Sequence, residues 1–195
     1  GRPPITQDYP YYVLVESQGA DRELDTQRFN SAMESAFESG LIVDAAIAQS
    51  DADSHGFWAL RDDVERVMHG GLPVVFDISL PIAEMDAYAR RLQDGLVEAI
   101  GADHRLFIFG HLGDGNLHVV VQVPPAIYMS DRGKIEAVVY SGLASFRGAV
   151  SAEHGIGLEK KPWLAISRSE PELALMRALK LALDPRNLLN PGKIL

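Results

Sequence analysis

A chain of 195 residues is long enough for one sizeable core or two small ones. Its 47% apolar and 23% charged residues are the proportions of an ordinary globular protein, and 18 basic against 27 acidic residues (net −9) exclude the basic face that unspecific nucleic-acid binding requires. No cysteine is present, so disulfides, iron–sulfur clusters, thiolate zinc sites and thiol nucleophiles are excluded, and the expected compartment is a reducing cytoplasm.

No apolar run reaches the roughly 18 residues of a membrane-spanning helix. The opening Gly1-Arg2-Pro3-Pro4 has no signal-peptide pattern, and residues 1–10 read as a linker or a cut edge. Tyr11 to Glu16 is a β-branched and aromatic run that predicts a strand, ended by turn residues at Ser17-Gln18-Gly19. Leu24, Phe29, Met33, Ala36 and Phe37 recur at threes and fours and predict a helix with Gly40 just past its end. Leu41 to Ala48 is again strand-like. Asp53 or Ser54 is the expected cap of a helix carrying Trp58, Leu60, Val64 and Val67, stopping at Gly70-Gly71. Val74 to Leu80 predicts a third strand, and Pro81 the first turn of a helix whose buried stripe is Met85, Tyr88, Leu92, Leu96 and Val97. Arg105 to Phe109 and Leu117 to Val123 are joined by a short glycine-rich turn and so predict an antiparallel hairpin. Helices are expected from Gly133 to about Arg147 and from Pro171 to Leu183. Strands joined sometimes by helices and once by a tight turn predict an α+β fold, a largely antiparallel or mixed sheet covered by helices. No internal boundary stands out from Tyr11 to Leu195.

Three of the six histidines lie in two glycine-rich segments. In Gly110-His111-Leu112-Gly113-Asp114-Gly115-Asn116-Leu117-His118, a turn at residues 113–116 places His111 at the end of one strand and His118 near the start of its neighbour. Adjacent strands lie about 5 Å apart, so two imidazoles on one face can share a divalent ion. Ser151-Ala152-Glu153-His154-Gly155-Ile156-Gly157 offers a carboxylate as third ligand and a further imidazole. Spacing alone is equally compatible with a tight turn bearing surface histidines. His55, His69 and His104 have no such setting and read as surface or capping residues. Gly155-x-Gly157 lacks the third glycine and preceding strand of a dinucleotide fingerprint.

The string from His111 to His118, then Glu153-His154-Gly155-Ile156-Gly157 beginning 35 residues later, and the tail Leu183-Asp184-Pro185-Arg186-Asn187-Leu188-Leu189-Asn190-Pro191-Gly192-Lys193 together resemble the C-terminal domain of the FAD-linked oxidase family, whose members include D-lactate, glycolate and D-2-hydroxyglutarate dehydrogenases. The resemblance covers Tyr11 to Leu195. It implies a ferredoxin-like substrate-binding domain that covers a flavin held mainly by an N-terminal FAD-binding domain of the same protein. It implies oxidation of a small D-2-hydroxyacid to a 2-oxoacid, with FAD and a divalent metal, zinc or similar, as cofactors and a further electron acceptor, through which peripheral membrane contact would arise. By position, His111, His118 and Glu153 resemble the metal ligands, His154 the base that takes the hydroxyl proton, Arg61 the arginine that binds the substrate carboxylate, and Asn190 and Lys193 the cofactor contacts in the tail. Without the resemblance, Arg61 reads as an exposed helix charge. Many relatives carry a lysine two residues before the aspartate of the third strand. Here Val75 stands there, so the pocket wall is less basic and the resemblance does not carry 2-hydroxyglutarate over as the substrate. A binding module without turnover and a metal-dependent hydrolase are the competing functional classes, and a homodimer is an open alternative to a monomer.

Overall fold

The computed structural model describes residues 4, 5 and 8–195; residues 1–3, 6 and 7, on which part of the linker reading falls, lie outside the described residues. The chain divides into two compact units, Gly1–Arg66 and Val67–Leu195, at a point where the sequence shows no boundary.

The first unit holds two helices. In α1 (Arg22–Glu38) the Asp21 carboxylate accepts the Leu24 N–H, satisfying one of the free donors of the first turn, and Gly40 closes the other end at φ +70°. α2 (Asp51–Asp62) is capped by Ser50, three residues before the expected Asp53, because Asp53 instead reaches back to the Gln49 N–H and the Ser50 hydroxyl. Neither helix contains a buried residue. The strands expected at Tyr11–Glu16 and Leu41–Ala48 are absent: both runs are irregular, with Tyr11 67% and Leu41 80% exposed. Strand propensity is a preference for a packed, paired surface, and among the described residues neither run joins a strand ladder.

In the second unit β1 (Leu72–Ser79), β2 (Arg105–His111) and β3 (Asn116–Val123) form an antiparallel sheet in the order β1-β3-β2. This is the α+β arrangement that the hairpin and the helical periodicities predict. α3 (Met85–Ile100) and α4 (Pro125–Leu143) pack on one face, where alternation delivers Val74, Phe76, Ile78, Leu117, Val119, Val121 and Val123 to the core. Met85, Tyr88, Leu92 and Leu96 form the buried stripe of α3, while Val97 is 45% exposed, having rotated out of that stripe. Pro81 does not open α3. The Glu84 N–H bonds to Pro81 O and closes a short 3-10 turn (Ile82–Glu84), so α3 begins at Met85. α4 begins earlier than expected, at a proline whose fixed φ and missing N–H suit a first helical turn. After the short α5 (Leu164–Ser167), Ser169 opens α6 (Glu170–Leu183), its N–H held by Glu172 Oε2 at 2.7 Å. None of the described helices is long and apolar enough to cross a membrane.

Candidate metal and proton-transfer site

The sheet face turned away from α3 and α4 is organised in cross-strand rows. Pro73–Gln122–Arg105 is followed by Val75–Val120–Phe107, then Asp77–His118–Phe109, then Ser79–Asn116–His111. The histidine pair thus arises from the hairpin register: His118 sits one row from His111, their ring centroids 5.6 Å apart. The connection is a short 3-10 turn (Leu112–Asp114) and Gly115 at φ +79°, where the Asn116 N–H returns to Asp114 Oδ1. Two glycines are required here. A Cβ at Gly110 would lie 2.3 Å from Asn116 O, and one at Gly115 would lie 2.6 Å from Leu80 O, in a left-handed conformation besides.

A second segment reaches this face through the Ser79–Ala149 bridge at the end of β1. Residues 151–154 then wrap the Asp77 carboxylate. Its Oδ2 accepts the N–H groups of Ala152 (3.1 Å), Glu153 (2.9 Å) and His154 (2.9 Å), and the Ser151 hydroxyl at 3.2 Å. The Lys160 ammonium lies 3.4 Å from Oδ2 and donates to Asp77 O (2.9 Å) and Ser151 Oγ (3.0 Å). Both charges are buried, Asp77 completely. Burial alone would raise the Asp77 pKa. The amides of His154 and Glu153 and the Lys160 ammonium outweigh it and hold the carboxyl at about 2. Burial draws Lys160 below its ordinary value against the pull of Asp77.

This anchorage carries Glu153 to the histidines. Glu153 Oε1 is 3.6 Å from His111 Nε2 and Oε2 is 4.0 Å from His118 Nε2, with one ligand atom from each of the three residues inside a 4.8 Å cluster. Ligands bound at about 2 Å in a tetrahedron lie roughly 3.4 Å apart, so two imidazoles and one carboxylate at this spacing fit a borderline divalent cation with positions left open. Burial lowers the His118 pKa against the opposing pull of Glu153 and Asp77, favouring the neutral ring whose lone pair can ligate. His154 stacks on His118, ring centroids 5.9 Å apart. A second cluster of Asp77, His118 and His154 shares His118 with the first.

The structure therefore brings His111, His118, Glu153 and His154 together. Arg61 belongs to the first unit, where it lies in the last turn of α2 and pairs with Asp62 at 3.0 Å. Asn190 and Lys193 bond to each other at 3.2 Å and line a cavity of about 660 Å³ under α6, together with Lys180 and Leu189. The tail around them is tied to the segment that follows His154 by the Ile194 N–H on Gly157 O (2.9 Å) and by Lys161 Nζ on Gly192 O (3.0 Å). His104 caps the end of α3 through Gly101 O, as a histidine outside the motifs is expected to do. Three residues of the site carry little sequence signal. Lys160 gave none. Asp77 is marked only as a lone acid in an apolar strand, and Asn116 is a turn residue that proves 2% exposed with both side-chain polar atoms unpartnered among the described residues.

Comparison with known proteins follows this geometry. The family model described as "FAD linked oxidases, C-terminal domain" matches residues 3–194. A D-2-hydroxyglutarate dehydrogenase of Xanthomonas citri pv. viticola is 38% identical over 98% of the chain and 41% of its own length. The mitochondrial D-2-hydroxyglutarate dehydrogenase of Rattus norvegicus is 36% identical over 97% of the chain and 35% of its own length. A putative mitochondrial D-lactate dehydrogenase of Schizosaccharomyces pombe is 33% identical over 97% and 38% respectively. The chain spans about two-fifths or less of the length of these relatives. With a match over nearly every residue, and two of the three motifs that carried the resemblance gathered on one sheet face, the chain belongs to the C-terminal domain family of the FAD-linked oxidases.

Proposed function

We propose that this chain is the substrate- and metal-binding part of a flavin-dependent dehydrogenase that oxidises a D-2-hydroxyacid to a 2-oxoacid. The observation that supports it most directly is the convergence of His111, His118 and Glu153 with His154 stacked alongside. When bound, a divalent cation supplies the Lewis acidity that lowers a hydroxyl pKa, and FAD supplies the hydride acceptor. The chain's own residues divide the remaining work. His111, His118 and Glu153 present two nitrogens and an oxygen to one point, and His154 takes the proton of the substrate hydroxyl. Arg61 is proposed as the carboxylate-binding group, and Asn190 and Lys193 as cofactor contacts, on the family resemblance alone. The row next to Asp77 and His118 on the same face is Val75–Val120–Phe107. An apolar wall there favours a 2-hydroxyacid with a small or apolar side chain over the dicarboxylate named for several of the relatives.

Reduction of a dye acceptor by the full-length, flavin-loaded protein tests this reading, with D-lactate and D-2-hydroxyglutarate compared before and after dialysis against a chelator. D-isomer-specific reduction, lost on chelation and restored by Zn²⁺ or Mn²⁺, is the expected result. Binding of metal and hydroxyacid without dye reduction would mark a binding module instead, and ester or phosphoester turnover a hydrolase.

A further inference from the structure

Asp77 is fully buried, yet only half of its carboxylate is used. Oδ2 accepts three backbone amides and the Ser151 hydroxyl and faces Lys160, whereas Oδ1, equally buried, has no hydrogen-bond partner among the described residues. An unsatisfied carboxylate oxygen in a protein interior is costly, and one that persists marks a missing donor. The candidate donor is adjacent. Asp77 stands opposite His118 in the β1–β3 ladder, on the same face, and a carboxylate oxygen of Asp77 lies within 4.8 Å of a ring nitrogen of His118. His118 turns Nε2 toward Glu153, which leaves Nδ1, the ring nitrogen nearer its own backbone, as the nitrogen that can serve Asp77. Imidazoles that ligate a metal through one nitrogen characteristically give the N–H of the other to a carboxylate, which fixes both tautomer and ring orientation.

Resting on the reading of His111, His118 and Glu153 as a metal site, we propose that Asp77 is its positioning residue. Oδ2 holds the loop that bears Glu153 and His154, and Oδ1 is the acceptor on which the Nδ1–H of His118 closes by a small turn of the ring, leaving Nε2 bare toward Glu153. One buried charge then sets two of the three ligands and the proposed base together. The Lys160 ammonium keeps that charge compensated in the interior.

The test separates this role from plain charge balance. Asp77→Asn alone would strand a buried ammonium, so the informative variant is the neutral pair Asp77→Asn with Lys160→Met, which removes both charges at once. In the full-length protein, Co²⁺ titration followed by its ligand-field absorption reads affinity and ligand geometry independently of turnover. Wild type should bind one Co²⁺ at this site and His118→Ala should not. If wild type binds none, the metal-site reading fails first and the inference falls with it. If wild type binds, the double variant should melt normally yet bind Co²⁺ about 10- to 100-fold more weakly. Wild-type affinity in a folded double variant would show that Asp77 only balances Lys160, and would overturn the proposal. Asp77→Glu, which keeps the charge but displaces the oxygens, should show the same weakening. Should neither variant fold, ¹⁵N spectra of histidine-labelled wild type still decide: a single His118 tautomer protonated at Nδ1 is expected, and a mixture of tautomers overturns the proposal.

Discussion

On the proposed reading, Arg61 and Val75 are residues at which substrate choice can be probed without touching the histidines. Arg61→Ala removes a charge-assisted contact worth about 1.5–3 kcal/mol if the guanidinium meets the substrate carboxylate. Steady-state kinetics on the full-length protein should then show kcat/KM for 2-hydroxyacids falling about 10- to 150-fold with melting unchanged; an unaltered kcat/KM would leave Arg61 as a surface charge paired with Asp62. Val75 is 44% exposed on the face that bears Asp77, so a lysine there can keep its ammonium in water. Val75→Lys should therefore change stability by no more than about 0.5 kcal/mol and raise the kcat/KM ratio of D-2-hydroxyglutarate to D-lactate. No change in that ratio would separate position 75 from substrate choice. At this scale the glycine–histidine strings were legible because a tight turn and the histidines that flank it are neighbours in sequence. Asp77 was not, because every amide that it holds lies 75 to 77 residues away and leaves no mark near it.

Helix α3 shows how closely periodicity predicts burial and where it stops. Leu96 is fully buried and Val97 is 45% exposed, although both belong to the stripe read from the sequence. Thermal or denaturant unfolding should find Leu96→Ala destabilising by about 2–5 kcal/mol and Val97→Ala within about 0.5 kcal/mol. The turn after α6 is an electrostatic element. Asp184 takes the N–H groups of Leu188 and Leu189 at 2.9 Å and pairs with Lys180. The bond from Lys180, then the two amides, hold its pKa down at about 2. Because the folded value lies below the roughly 3.9 of an unfolded aspartate, its stabilising effect is complete above about pH 4 and fades as pH falls toward 2. Asp184→Asn should accordingly lower Tm at pH 7, and the gap from wild type should close in acid; a gap unchanged down to pH 2 would contradict this. Hairpin and helices were readable because their signals are local. The runs at Tyr11–Glu16 and Leu41–Ala48 misled because extended propensity says nothing of whether a partner strand exists.

Across the whole chain, one long-range connection dominates the site: β1 is joined to the loop at residues 151–154 by bonds that close more than seventy residues of intervening chain. Its helices and hairpin can form from local contacts, but Glu153 can meet His111 and His118 only after that closure. Family membership was legible for the same reason that the clustered histidines were, since both rest largely on short glycine-rich strings, whereas the division at Arg66 left no compositional trace. The cradle around Asp77 also has a consequence for solvent access in time rather than in space. Glu153 and His154 are exposed residues on an irregular segment, and amides in such places ordinarily trade their hydrogens for deuterium within seconds. Theirs point inward to a buried carboxylate. Hydrogen–deuterium exchange resolved to single residues should therefore find these two amides exchanging with the slow core strands, while the neighbouring amide of Gly157 exchanges quickly. Fast exchange at Glu153 and His154 would mean that the loop opens often enough to let both side chains drift away from His111 and His118.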